Sequence, residues 1–193
     1  MTPTTATETK PLRADARRNR AAIVKAARKV FSDKGQDAQM DDIARRAKVG
    51  VGTVYRHFPT KEALLEELVR ESFRELAQIW MAALEDPDPW DTFVDVMRRS
   101  AELHAGDRAF SEVIAEAKMA VADRAASETG LNDSLMDLVK RCQAAGAMRQ
   151  DVTLEDLQSL FCGLGAVMAR DPGDGRMWRR YLTLMIDGLR PAP

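Results

Sequence analysis

Apolar positions along the 193-residue chain recur at spacings of three and four almost throughout, and period-two alternation of Val, Ile or aromatics with polar residues is nearly absent. The pattern predicts an all-α protein of about nine helices. The first spans residues 17–34, with Ile23, Val24, Ala27, Val30 and Phe31 on one face and Gly35 ending it. A short helix over 41–47 turns Met40, Ile43, Ala44 and Ala47 inward. After a tight break at 48–50, a second short helix over 51–58 has Val54, Phe58 and Val51 as its inner face. Pro59 breaks that helix, and Thr60 caps a long fourth one over 61–85.

Residues 86–89 form a hard break in which Asp88 is a cap candidate and Pro89 suits a first helical position. A fifth helix is expected over 90–104, a sixth over 108–122 and a seventh over 133–145, closed by Gly146. Thr153 with Asp156 forms a capping box, Asp standing for Glu, that opens an eighth helix to 170. A ninth covers 176–189 and stops before Pro191. No internal repeat and no extended low-complexity tract interrupts the series.

Two short helices joined by a tight turn and preceded by a longer one make a helix-turn-helix unit. Such a unit needs one helix with a polar outer side for the major groove and an apolar inner side clamped to its supports. Val54 and Phe58 supply the clamp. Gly50 and Gly52 keep the helix start slim, and Thr53, Tyr55, Arg56 and His57 offer donors outward. Charge sharpens the picture. Residues 1–60 hold 13 Lys and Arg against 6 Asp and Glu, a net +7, whereas the remainder is net −8. A basic segment on an acidic body suits polyanion contact at one end, although charge alone leaves a solvated helix face as an equal alternative.

Other classes find little support. There is no phosphate loop, nucleophile elbow or zinc-ligand spacing, and the two histidines lie far apart in sequence, so an enzyme is not expected and no cofactor or metal is implied. Cys142 and Cys162 sit inside apolar helical patterns and read as reduced, buried thiols. No apolar stretch reaches membrane-spanning length, and residues 1–10 lack the apolar core of a secretory signal, which points to a cytoplasmic address.

The run Val49-Gly50-Val51-Gly52-Thr53-Val54-Tyr55-Arg56-His57-Phe58-Pro59-Thr60-Lys61-Glu62-Ala63-Leu64 closely resembles the signature of the TetR family of regulators. Upstream, Asp42-Ile43-Ala44-Arg45-Arg46-Ala47 resembles that family's second helix, and Ile23, Ala27, Phe31 and Gly35 resemble its first. The resemblance covers about residues 17–66. Beyond them only the stretch from Gly146 to Val152-Thr153-Leu154-Glu155-Asp156-Leu157 looks like a recurring subgroup pattern. It implies three parts: a flexible basic arm over 1–16, a DNA-binding domain over 17–62, and a ligand-binding and dimerisation domain over 63–193.

By the same resemblance, Tyr55, His57 and Lys61 hold phosphates, and Thr53 touches phosphate or base edges. Val51, Gly52 and Arg56 face bases, with Arg56 the candidate for reading guanine. Two departures stand out. Gln39 replaces the usual Thr or Ser cap of the second helix beside a phosphate, and Lys48 stands where the family commonly has Gly in the turn. A positive φ at Lys48 would cost on the order of 1 kcal/mol, while its ammonium could reach a phosphate. Arg13, Arg17, Arg18 and Arg20 cluster where the arm joins the first helix; a solubilising tail and minor-groove insertion are the two readings.

The body carries eight of the ten methionines together with many aromatics, a composition suited to adaptable apolar pockets as well as to a plain core. TetR-like bodies usually enclose a ligand cavity, for which Phe93, Met97, His104, Met119, Leu138 and Phe161 are the candidates. His104 is either a polar anchor or a solvated helix end. The family also implies that the last two helices pair with a second copy, through Gly163, Ala166, Arg170, Trp178, Tyr181, Leu182 and Met185. The resulting expectation is a homodimeric repressor on a palindromic double-stranded operator, released by a small apolar or amphipathic effector. A regulator without a small-molecule inducer, controlled by a protein partner or acting as an activator, is the alternative.

Overall fold

The computed structural model describes residues 9–105, 119–171 and 173–191, and the chain divides into two compact units, Met1–Leu68 and Val69–Pro193. Among the described residues there are nine α-helices and no strand. They are α1 (Thr9–Lys34), α2 (Met40–Ala47), α3 (Val51–His57), α4 (Lys61–Ala83), α5 (Pro89–Ala105), α6 (Met119–Glu128), α7 (Leu131–Ala144), α8 (Leu154–Arg170) and α9 (Arg176–Gly188), with a 3-10 turn at Gly35–Asp37.

In the first unit α1 packs on α2 and α3. Ile23, Val24, Ala27, Val30 and Phe31 of α1 are buried with Ile43 and Ala44 of α2, Val54 of α3, and Phe58. Burying each large side chain here contributes about 1.5–3 kcal/mol. The inner face of α3 differs from expectation at one place. Val51 is 40% exposed, because the seven-residue helix is held through Val54 and Phe58 while its first turn, with Gly50 and Gly52, remains open. A polar clasp joins α1 to the start of α4. The Arg20 guanidinium donates through Nη1 to Glu67 Oε1 at 3.0 Å, with Nη2 2.8 Å from Oε2, and it also lies 5.1 Å from the centre of the Phe58 ring.

The helix start also differs. Residues 9–16, assigned to a flexible arm, continue α1 towards the N-terminus. Pro11 lies in the first turn, where its missing N–H has no partner to lose, and the Asp15–Arg18 ion pair supports the next turn. Residues 1–8 of that arm lie outside the described ones.

The second unit packs α5 and α6 on α7, and α8 on α9. Phe93 sits at its centre, edge-on to Trp80 at 5.8 Å and stacked on Trp90 at 6.0 Å. The Trp80 indole donates to Ser100 Oγ at 3.2 Å. Asp88 Oδ1 accepts from the backbone N–H groups of Trp90 and Asp91 at 3.1 and 3.0 Å, and Pro89 is the first residue of α5. The capping box also forms: Thr153 Oγ1 accepts from Asp156 N–H at 3.2 Å and Thr153 N–H donates to Asp156 Oδ2 at 2.9 Å. At the entry to α9 burial opposes the charge of Asp171, yet N–H groups of Gly173, Gly175, Trp178 and Met177 donate to it and hold its carboxyl below the usual range. Cys142 is buried, its thiol donating to the Pro89 carbonyl at 3.1 Å, and desolvation pushes its pKa up to about 11.

The sixth helix differs most from the hydrophobic pattern. Residues 108–118 lie outside the described ones, and α6 runs on to Glu128, with only Thr129 and Gly130 before α7. Among its described side chains the buried ones are Ala125 and Ala126. Alanine is the best helix former but a faint hydrophobic signal, so a helix that buries alanines is nearly silent to periodicity.

Candidate nucleic-acid interface and cavity

The outer side of α3 carries two adjacent rows, the residues within each row one turn apart. Val51 and Tyr55 form the first, 40% and 48% exposed, and Gly52 and Arg56 form the second. Thr53 and His57, also four residues apart, are half-buried along the flank. The donors expected to face outward therefore share one short helix, with aromatic, guanidinium, hydroxyl and imidazole groups within two turns.

The glycines say why this surface is thin. A Cβ built at Gly50 or Gly52 meets no atom of the chain within 4 Å, and neither residue has a positive φ. The fold thus has no need of glycine there, whereas a ligand that must approach the helix start has. Lys48 shows the opposite case. It holds φ +57° and ψ +41°, the one non-glycine with positive φ among the described residues. The strain costs about 1–2 kcal/mol, and its side chain is exposed. Gly52→Ala is expected to stabilise the first unit by about 0.5–1 kcal/mol. Lys48→Gly should add about as much, the relieved strain being offset partly by a looser unfolded chain. Both should weaken DNA binding. Thermal melts beside binding isotherms check this, and a variant that gains both stability and affinity would contradict it.

The phosphate candidates flank this helix. Gln39 is exposed at the start of α2, where its own N–H donates to Asp42 Oδ2 at 3.4 Å and its amide to the Asp37 carbonyl at 3.3 Å. Lys34 lies 2.7 Å from Asp42 and, as the largest influence, holds that carboxyl below its usual range. Lys61 opens α4, half-buried, its Nζ 5.5 Å from the centre of the Phe31 ring. Thr60 Oγ1 accepts from Ala63 N–H at 3.1 Å and caps the same turn.

The second unit holds a cavity of about 150 Å³. Five helices line it: α4 with Phe73, Leu76 and Trp80, α5 with Met97, Ser100, Ala101 and His104, α6 with Ala122, Asp123 and Ala126, α7 with Leu131, Asn132 and Leu135, and α8 with Phe161, Cys162, Gly165 and their neighbours. Met97, His104 and Phe161 of the expected set line it, and His104 is buried and not solvated. Phe93 and Leu138 do not, being fully buried in the core behind. Met119 opens α6, and its side chain lies outside the described ones. The α4 wall went unread because its aromatics pass for ordinary core. The small residues at helical spacing, Ala122 and Ala126, are the signal of space that could have been noticed.

The expected pairing residues separate in the same way. Trp178, Leu182 and Met185 are buried in their own chain's core. The same α9 periodicity has a second face, where Met177 and Leu184 are exposed. Ala166 and Arg170 are exposed on α8. Gly163 is half-buried, and the half-buried Tyr181 fills its place, with the hydroxyl standing where a Cβ would need to be. Among the described residues no cluster suits a metal ion, and no helix is long and apolar enough to cross a membrane.

Comparison with known proteins agrees with this geometry. The family model of bacterial regulatory proteins of the tetR family matches residues 23–68, and that of the transcriptional regulator SbtR-like C-terminal domain matches residues 88–191. The HTH-type transcriptional regulator UidR of Escherichia coli is 33% identical over 90 residues, 46% of this chain and 44% of the relative, so the chain spans less than half the length of the curated relatives it matches. A TetR transcription regulatory protein from Mycobacterium vanbaalenii is 32% identical, with 94% of this chain and 100% of that one covered at a TM-score of 0.61. The TetR regulator SCO0520 from Streptomyces coelicolor is 29% identical, with 90% and 99% covered at 0.62. With one family model on each unit, and a helix-turn-helix surface built as that family builds it, this chain belongs to the TetR family of transcriptional regulators, DNA-binding proteins and not enzymes.

Proposed function

We propose that the protein is a homodimeric repressor that binds a palindromic operator in the cytoplasm and leaves it when a small apolar or amphipathic effector enters the cavity. The observation that carries this reading is the cavity itself, a largely apolar space walled partly by Phe73, Leu76 and Trp80 of α4. The same helix bears Lys61 in its first turn. An effector that favours another seating of α4 would change the spacing of the two recognition helices, so that they no longer match successive major-groove faces. Effector and operator then oppose each other by one coupling energy in both directions.

Dimerisation is supported by what is left uncovered on the last two helices. Met177 and Leu184 stand out from α9 and Ala166 from α8, exposed apolar side chains of the kind that a second copy covers. Tyr55, His57, Lys61, Thr53, Lys48 and Gln39 hold the backbone in this reading, and Arg56, Val51 and Gly52 face the bases.

The test is fluorescence anisotropy on labelled duplexes tiled across the DNA flanking the gene, at two salt concentrations, with wild type and Tyr55→Ala. Tight, salt-sensitive binding to one palindromic duplex, lost in the mutant and accompanied by a dimer in light scattering, is expected. Weak binding that is equal on every duplex and indifferent to Tyr55 would refute the reading.

A further inference from the structure

We infer that the effector is an uncharged, single-ring amphiphile that places its ring among the cavity aromatics and one hydrogen-bonding group against His104. This rests on the reading of the cavity as the effector site, and deepens it to a chemical class.

Size comes first. An apolar protein cavity of about 150 Å³ takes up benzene, and this one measures about 150 Å³. Drug-sized ligands occupy pockets of about 300–1,000 Å³. The lining comes second. Phe73, Trp80 and Phe161 give aromatic faces for a ring, and Leu76, Met97 and Leu135 give aliphatic ones.

Charge comes third. Among the described lining residues there is no Lys or Arg, and the one carboxylate is Asp123. An anionic head would leave water for apolar walls, with no cation among the described lining residues to meet it. A cationic head fares little better, because Asp123 is exposed and water screens its pull.

The polar contact comes last. Ser100 already accepts from the Trp80 indole at 3.2 Å, which ties it to the wall. His104 is the other buried polar side chain at the described lining, from α5, and an imidazole rewards a hydroxyl over a methyl at the same position on a ring.

The experiment uses the full chain, with thermal shift and calorimetry against phenol, toluene, benzoate, benzylamine and 1-decanol. Phenol should raise the Tm in a dose-dependent way. Benzoate, benzylamine and decanol should bind at least tenfold more weakly. Ala126→Leu, which fills the space, should abolish the phenol response, with Ala101→Val as the milder variant if the first does not fold. His104→Leu should remove the preference for phenol over toluene.

Benzoate, benzylamine or decanol binding as tightly as phenol would overturn the inference. So would no response to phenol at millimolar concentration, or an unchanged phenol response in the filled variants. Operator release, followed in parallel, separates the two levels. Phenol taken up with the operator complex undisturbed would sink the release mechanism and leave the ligand class standing. Benzoate releasing the operator while phenol neither binds nor releases would do the reverse.

Discussion

Arg56→Ala is expected to weaken operator binding about 30-fold to 10⁴-fold and to flatten the preference for operator over scrambled DNA. Arg56 is exposed on the outer side of α3, one turn beyond Gly52, where an added Cβ would meet nothing of the chain within 4 Å. A guanidinium fork matched to O6 and N7 of guanine is worth about 1–3 kcal/mol. In a dimer on a palindrome the loss occurs at both half-sites, giving about 2–6 kcal/mol in total. Lys61→Ala should behave differently. A lysine at the first turn of α4 holding phosphate carries no sequence information, so affinity should fall about equally on operator and scrambled duplexes. The slope of log affinity against log salt should become shallower by about one for each phosphate that the missing ammonium no longer neutralises. Anisotropy titrations over a range of salt distinguish the two. An Arg56→Ala protein that keeps its discrimination while Lys61→Ala loses it would reverse the assignments.

The second large effect is on stability. Arg20→Ala should destabilise the first unit by about 2–3 kcal/mol. Glu67 is 5% exposed and receives both prongs of the guanidinium, which also covers the Phe58 ring at the end of α3. Removing one partner of a buried pair costs about 3–5 kcal/mol; the Arg20 side chain is 43% exposed, so solvent recovers part of that. A unit of this size has little stability to spare. Arg20→Lys keeps the charge but not the fork and should fall between. Arg18→Ala breaks only the exposed pair with Asp15 and should stay within about 0.5 kcal/mol of wild type. All three tryptophans, Trp80, Trp90 and Trp178, lie in the second unit, so their fluorescence would miss the change. Amide hydrogen exchange over α1 to α3 reads it directly, and unchanged protection in Arg20→Ala would show the clasp to be ornamental.

These two effects fall on residues of unequal legibility. Arg56 was legible as an outward donor because the inner positions, Val54 and Phe58, leave it on the other side of the helix; its proposed base-facing role came only from the resemblance to the TetR signature. Arg20 was visible only as one more positive charge near an arm. Its partner is 47 residues away, and nothing in a local pattern announces that a glutamate in an amphipathic helix will be buried. The same limit explains α9. Its apolar residues were evident, yet Trp178, Leu182 and Met185 turned inward to their own core and left Met177 and Leu184 outside.

What the amino-acid order determined by itself is local: all-helical structure, caps at Asp88 and Thr153, the tight turn at Lys48, and a recognition helix whose polar rows follow from a 3.6-residue period. These depend on backbone sterics, hydrogen bonds over three or four residues, and the segregation of apolar from polar positions. Only the tertiary structure decided which buried side chains border empty space and which are packed solid, why Met97 and Phe161 line a cavity while Phe93 and Leu138 do not, and which apolar residues of α9 are left exposed. Periodicity reports that a residue is buried. What it is buried against depends on helices distant in sequence, whose packing no short window of residues contains.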